Sequence, residues 1–465
     1  MRYVSTRGIA PHASFREVLM TGLAPDGGLY VPETYPELTE RMLDMLRGRS
    51  YADVASVVLS LFMDDIPRHT LERIIDETYC ADVFGTDAVT PVQKLHNHLY
   101  LLKLSEGPTL AFKDIALQLV ARLMEYELEE QGGCVNILAS TSGDTGSAAE
   151  EAFASRKRVN LFVLSPKGRM SPFQKAQMYT HNEANIFNIV IDGSFDVCQS
   201  LMKKVNADAK FKKEVSLGAV NSTNWARIAA QVVYYVYAYL QVPFGREGVS
   251  FVIPSGNFGN AFACHVAREM GVPIETIVVA TNENDVLDEF FKSGSYRPRS
   301  EVAVTSSPSM DIAEASNLER LIYDFPQRGP ERVTRFLEQL TAHKEARVSM
   351  LRAKLYGWES GWVSDRSVLE TIRTMDARFG VMVDPHTAVA CLVALEQPES
   401  ATKLIVAETA KPAKFADTIR EALGKDPDIP DRLTDLMQQR WFVHELPADA
   451  EAIKSFIRSK VAVTA

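Results

Sequence analysis

Val249-Ser250-Phe251-Val252-Ile253 runs through Ser255-Gly256-Asn257-Phe258-Gly259-Asn260 into Ala261–Met270 and then Ile274–Ala280. The first and last of these runs are short, apolar and rich in β-branched residues, the pattern of buried strands. The run Ala261–Met270 between them reads as a helix. Strand, loop, helix and strand in that order make a β-loop-α-β unit, and such units build parallel sheets. Ligands of parallel sheets bind at the carboxyl ends of the strands. The loop 255–260 therefore lies where chemistry is expected.

The same unit recurs on both sides. Upstream, Val135-Asn136-Ile137-Leu138-Ala139 leads through Ser140-Thr141-Ser142-Gly143-Asp144-Thr145-Gly146 into a helix of small residues ending at Ala154. The strand Val159–Leu164 follows, then a strand Ile186–Ile191 and a helix Ser194–Asp208. Downstream, a helix Ala388–Leu395 and a strand Leu404–Ala407 precede the loop Glu408-Thr409-Ala410-Lys411-Pro412 and a helix Ala413–Leu423. Between these units, Asn221-Ser222-Thr223-Asn224 offers an N-cap to a helix from Trp225 to about Gln241. That helix is apolar on nearly every face, so it is expected in the centre of the molecule.

Lys113 stands in Gly107-Pro108-Thr109-Leu110-Ala111-Phe112-Lys113-Asp114, after a hairpin near Lys94–Leu104. Ile115, Leu119, Leu123 and Tyr126 then recur at helical spacing as far as the Gly132-Gly133 stop signal. Lys113 thus sits where a loop enters a helix, its stem among apolar neighbours. A lysine desolvated in this way has a lowered pKa and can act as an amine nucleophile. Residues 1–95 read as mostly helical, with Pro25-Asp26-Gly27-Gly28 as a turn; their expected role is to pack against a site or close over it. Residues 282–376 are polar and charge-rich, and read as a surface insertion. Helices are expected near Pro330–Ala342 and His343–Lys354, and Thr305–Ser309 with Met310-Asp311 are placed to reach a site.

Length and composition narrow the class. A chain of 465 residues is too long for one compact core. A net charge of −10 argues against a general nucleic-acid binder. The five cysteines form no C-x-x-C pair, so neither a zinc site nor a disulfide framework is expected, and a cytoplasmic location fits. The longest apolar stretch, Ile228–Leu240, is too short to span a bilayer. No metal and no membrane partner is therefore expected.

Three loops carry the chemistry. Loop 255–260 combines glycines with a helix start, whose free N–H groups make a phosphate seat; a tight strand-to-helix turn would use the same residues. Loop 140–146 offers hydroxyls and N–H groups to an amino-acid carboxylate, and Thr141, Ser142 or Asp144 is equally suited to cap the helix. Loop 408–412 presents the hydroxyl of Thr409. A reactive lysine, a phosphate loop, a carboxylate loop and a hydroxyl at a third strand end together point to pyridoxal phosphate, with Lys113 forming the Schiff base.

Thr109-Leu110-Ala111-Phe112-Lys113-Asp114, Ser142-Gly143-Asp144-Thr145-Gly146 and Gly256-Asn257-Phe258-Gly259-Asn260 resemble the threonine synthase family. Asp26-Gly27-Gly28-Leu29-Tyr30-Val31-Pro32 and Pro412-Ala413-Lys414-Phe415 match it as well, and the segment 282–376 is similar to its larger, bacterial and fungal branch. The resemblance implies a fold-type II pyridoxal-phosphate enzyme, with two parallel-sheet α/β domains and the cofactor between them. Residues 96–132 and 206–465 would form the larger domain and 133–205 the smaller. Lys113 would carry the cofactor, Gly256, Asn257, Phe258, Gly259 and Asn260 would hold its phosphate, and Thr409 would meet the pyridine nitrogen. Ser142, Gly143, Asp144, Thr145, Asn221 and Ser222 would face the substrate. Arg227 is a candidate for the substrate phosphate, against a salt bridge on a buried helix. The implied reaction turns O-phospho-L-homoserine and water into L-threonine and phosphate, in a monomer or homodimer. Another fold-type II enzyme, such as a threonine or serine dehydratase or a phospho-amino-acid lyase, would share the lysine and the phosphate loop. A non-catalytic homologue would not need them.

Overall fold

The computed structural model describes residues 1–168, 170–218, 222–242, 248–325, 327–349, 356–398 and 402–464. Two sheets organise them. The larger has the spatial order Trp358–Trp362, Ile274–Thr281, Val249–Pro254, Lys403–Glu408, Leu99–Lys103, Val92–Lys94. Its first five strands are parallel and the last is antiparallel, the outer arm of a hairpin. The smaller has the order His444–Leu446, Ile186–Ile191, Val159–Pro166, Val135–Ser140, Leu217–Gly218, all parallel. The innermost strands are buried on both faces, which is why they read as unbroken apolar runs.

The helix Trp225–Gln241 is the axis of the larger domain, and nearly all of it is buried. Asn224 caps it by accepting from the Ala226 N–H. It packs on Gly259–Glu269, Tyr51–Ser60 and Lys113–Gln131. The N-terminal helices share its core. Tyr3 and Phe62 meet the Trp225 ring at 6.1 and 5.7 Å, and Tyr51 meets Tyr237 at 5.2 Å. Residues 1–95 are thus held by the same burial as the larger domain.

The small sheet draws on more of the chain than 133–205. Leu217–Gly218 pairs with Val135–Ser140, and His444–Leu446 pairs with Ile186–Ile191. The helix Ala450–Thr464 then lays Ile453 and Ile457 into the core of Phe162, Phe187 and Leu201. Strands of two and three residues are too short to carry an alternation signal, so a boundary read from sequence leaves them with the larger domain. The segment 282–376 also goes deeper than a surface insertion. Trp358–Trp362 is the edge strand of the large sheet, and Phe291 stacks on Trp358 at 5.1 Å. No helix starts at His343: Lys344 turns left-handed and Ala346–Arg347 pairs with Ser295–Tyr296, while 350–355 lie outside the described residues.

Candidate active site

Four strands deliver their carboxyl ends to one cleft. Leu99–Lys103 leads to Lys113, Val135–Ser140 to Asp144, Val249–Pro254 to the glycine-rich loop, and Lys403–Glu408 to Thr409. Lys113, Asp144, Thr145, Ser222, Arg227, Gly256, Asn257, Phe258, Gly259, Asn260 and Thr409 all line this cleft, whose empty space is about 730 Å³ with its mouth included. Ser142 and Gly143 are not among the residues that line it. Gly143 has φ 135°, and a Cβ there would meet the Gln174 amide at 2.6 Å, so its part is to set the start of the helix Asp144–Phe153. Asn221 lies outside the described residues.

The glycine-rich loop is a cradle with unused donors. A Cβ on Gly256 would lie 2.7 Å from the Ser309 carbonyl, so only glycine lets the two backbones pass. Phe258 takes φ 63°, the left-handed turn that starts the helix Gly259–Glu269. Tyr234 and Tyr235 both donate to Asn260 Oδ1, the latter at 2.6 Å. That fixes the amide so that Nδ2 is the free end, and Nδ2 has no partner among the described residues. Among the described residues, Ser255 Oγ and the Nε and Nη1 atoms of Arg227 are also buried without a partner. Burial lowers the Arg227 pKa to about 10. An unpaired guanidinium in this setting costs stability until an anion meets it. These donors, with the lysine opposite, fit an anionic cofactor and a second anion.

Lys113 begins the helix Lys113–Gln131 and is 9% exposed. Its Nζ lies 3.3 Å from Asp144 Oδ2 and 3.3 Å from Ser309 Oγ. Burial lowers its pKa from the ordinary lysine value; Asp144 opposes this, and the nearby charges of Lys414 and Arg227 add to it. Asp144 is held well below the usual carboxylate range. Burial pushes it up, but Lys113, Lys414 and a hydrogen bond from Gln174 outweigh that. Lys414 is fully buried, 3.3 Å from Asp144 Oδ1, and donates to the Thr109 carbonyl and Gln177 Oε1. The expected place of Asp144 was among groups receiving a substrate carboxylate. Its side chain is the counter-ion of Lys113 and Lys414, whereas the carboxylate seat was read from the hydroxyls and N–H groups of loop 140–146.

Thr409 is tied to the lysine loop from both sides of its backbone. Its carbonyl accepts from the Phe112 N–H at 2.9 Å, and its own N–H donates to Thr387 Oγ1 at 3.2 Å. The hydroxyl is left to the cleft. Ser309, Met310, His386 and Gln231 line the same space. Of these the sequence pointed only to the stretch holding Ser309 and Met310. His386 was missed; the local signal present is Asp384-Pro385, an N-cap followed by proline at the first helical position, and it marks a helix start and not a site: Asp384 accepts from the N–H groups of His386 and Thr387.

Comparison with known proteins places the whole chain. A family model described as threonine synthase N terminus matches residues 2–79. One described as pyridoxal-phosphate dependent enzyme matches 83–409, and one described as threonine synthase, C-terminal, matches 387–457. The threonine synthase of Methylobacillus glycogenes is 50% identical over 98% of this chain and 99% of its own. That of Corynebacterium glutamicum is 46% identical over 100% and 99%. Among solved structures, the pyridoxal-phosphate-bound threonine synthase from Brucella melitensis superposes with a TM-score of 0.96 at 41% identity, covering 99% of both chains. The yeast enzyme does so with a TM-score of 0.93 at 35% identity, again over 99% of both.

Proposed function

The chain belongs to the threonine synthase family of pyridoxal-phosphate-dependent enzymes, and from that premise we propose that it forms L-threonine and phosphate from O-phospho-L-homoserine and water. The observation that carries the choice of substrate is Arg227. Its guanidinium is buried, lines the same cleft as Lys113 and has two nitrogens without a partner among the described residues. A salt bridge on a buried helix would have paired it. Together with the free donors of loop 255–260, it supplies seats for two phosphates, one of the cofactor and one of the substrate.

Pyridoxal phosphate is the cofactor, and when bound it supplies the electron sink for charge that develops beside the substrate amino group. Asn260 Nδ2, Ser255 Oγ and the N–H groups of 256–260 would hold its phosphate. Thr409 would offer its hydroxyl to the pyridine nitrogen, a neutral partner that leaves that nitrogen less charged than a carboxylate would. Lys113 would hold the cofactor and, once released, move protons at the substrate's carbon atoms. Burial lowers its pKa, so the neutral amine is easier to reach than in an ordinary lysine. Arg227 would grip the phosphate that leaves, and Ser222 and Thr145 would face the amino-acid end.

The test is product analysis. The purified chain is supplied with pyridoxal phosphate and O-phospho-L-homoserine, and the products are identified. Threonine with one equivalent of phosphate is expected; 2-oxobutanoate in its place would assign the chain to the dehydratase-like alternative. For Arg227→Ala, KM should rise about tenfold or more while cofactor affinity holds within about threefold, since a hydrogen bond to a charged group contributes on the order of 1.5–3 kcal/mol.

A further inference from the structure

Lys113 has a second neighbour that comes from a distant part of the chain. Ser309 Oγ lies 3.3 Å from Lys113 Nζ and donates to Asp144 Oδ2 at 3.0 Å. The three side chains close a triangle, in which the lysine donates to both others and the serine to the aspartate. With two of its N–H bonds fixed, Nζ has one position left, a third hydrogen in the ammonium and the lone pair in the neutral amine, and that position has a single direction.

Ser309 is itself fixed. Its backbone N–H donates to His386 Nε2 at 3.1 Å, and His386 Nδ1 lies 2.8 Å from Asp384 Oδ1. Because Nε2 accepts, the imidazole proton sits on Nδ1 and faces Asp384, so one neutral tautomer is selected. His386 and Asp384 are buried at 3% and 0% exposure. The loop that carries Ser309 is pinned as well. Asp311 accepts from Thr305 and from the amides of Asn282 and Asn284, and Ser306 donates to Asp365. The Ser309 carbonyl passes directly over Gly256. A hydroxyl located this closely is a preorganised partner, the kind that a reacting group needs if it is not to search for its geometry.

We propose that Ser309 is a catalytic residue of this cleft, whose hydroxyl, with Asp144, holds the released amine of Lys113 in the direction of the substrate, and that Asp384 and His386 are the positioning residues that place it. The inference rests on the reaction proposed above. It adds no step to that reaction: the proton carried by Lys113 is the same, and Ser309 fixes where it is taken up and delivered.

The experiment first confirms that the unsubstituted holoenzyme makes threonine; failure there counts against the reaction, not against Ser309. Ser309→Ala is then compared with Ser309→Thr, His386→Ala and His386→Gln, each checked for unchanged thermal unfolding. Ser309→Ala should lower kcat about 10- to 100-fold with KM within about threefold. Ser309→Thr keeps a hydroxyl and should recover most of the rate. His386→Gln offers an oxygen to the Ser309 N–H and should exceed His386→Ala. A second readout needs no turnover. In the cofactor-free full-length chain, Lys113 should be acetylated by acetic anhydride at least threefold faster in Ser309→Ala than in the parent, with the other lysines as internal standards. Unchanged kcat together with unchanged labelling of Lys113 would overturn the proposal. So would a loss of kcat that Ser309→Thr does not relieve, because the loop's shape and not the hydroxyl would then be what matters.

Discussion

The charge of one residue decides what the cleft can do. Lys113 is held between a burial that favours its neutral form and an Asp144 that favours its charged one. Lys113→Ala removes the nucleophile, and turnover should fall by at least about a thousandfold, with loss of the visible absorption of the lysine-linked cofactor. Retention of that band would mean that another amine holds the cofactor. Thr409 offers a gentler probe, because its backbone and not its hydroxyl ties it to Phe112 and Thr387. Thr409→Ala should leave the fold intact and weaken cofactor binding about fivefold, the equivalent of one net hydrogen bond of roughly 1 kcal/mol. Titration of the cofactor-free protein with pyridoxal phosphate reads that affinity directly.

The helix Asp144–Phe153 shows how one element serves two ends. Its first residue is the counter-ion in the cleft, and six residues on it carries Glu150, fully buried, with Oε1 unpartnered among the described residues and Oε2 accepting from Asn188 at 3.2 Å. Burial pushes Glu150 from 4.5 up to about 8, with His181 and Asn188 only partly opposing it. The sign follows from proton counts. Between these two values the folded chain holds a proton that the unfolded chain has released, so stability falls as pH rises, by up to about 1.4 kcal/mol per unit. Glu150→Gln never ionises. It should match the parent at pH 5 and unfold at a higher temperature than the parent at pH 8; equal midpoints at pH 8 would mean that Glu150 stays charged in the fold. Nothing in the sequence marked Glu150, because burial of an acid is a property of packing between elements. The elements themselves were legible wherever local signals were strong. Ser194, Asn224 and Gly132 stand at the helix ends where their residue types cap helices, and loops 140–146, 255–260 and 408–412 follow strands as their sequence indicates. Lys414 and His386 were not legible as site residues. Each reaches the cleft through contacts to chain segments far away in sequence, which no local pattern encodes.

At the scale of the molecule the cleft lies between the ends of two sheets; one face of the smaller sheet shares the core of the larger, and its other face has a small core of its own. The larger contributes Lys113, Arg227, the glycine-rich loop and Thr409, and the smaller contributes Asp144 and Thr145. The small core depends on a helix from the far end of the chain. Ile453 and Ile457 are fully buried against it, and Phe456 meets Phe162 and Phe187 at 6.3 and 6.2 Å. Truncating a buried isoleucine to alanine costs on the order of 2–5 kcal/mol. Ile453→Ala with Ile457→Ala should therefore loosen the small domain while sparing the core built around Trp225–Gln241. Thermal unfolding should then show an early transition that the parent lacks. The groups that would hold the cofactor phosphate all sit on the larger side, so its visible absorption and affinity should persist below that transition. The proposed substrate site draws on both sides, so KM for O-phospho-L-homoserine should rise severalfold. Substrate added with the cofactor should move the early transition upward, because a ligand that bridges two domains stabilises their joined state. A single lowered transition with simultaneous loss of the cofactor would show instead that the two cores unfold as one unit and that the cleft has no independent large-domain half.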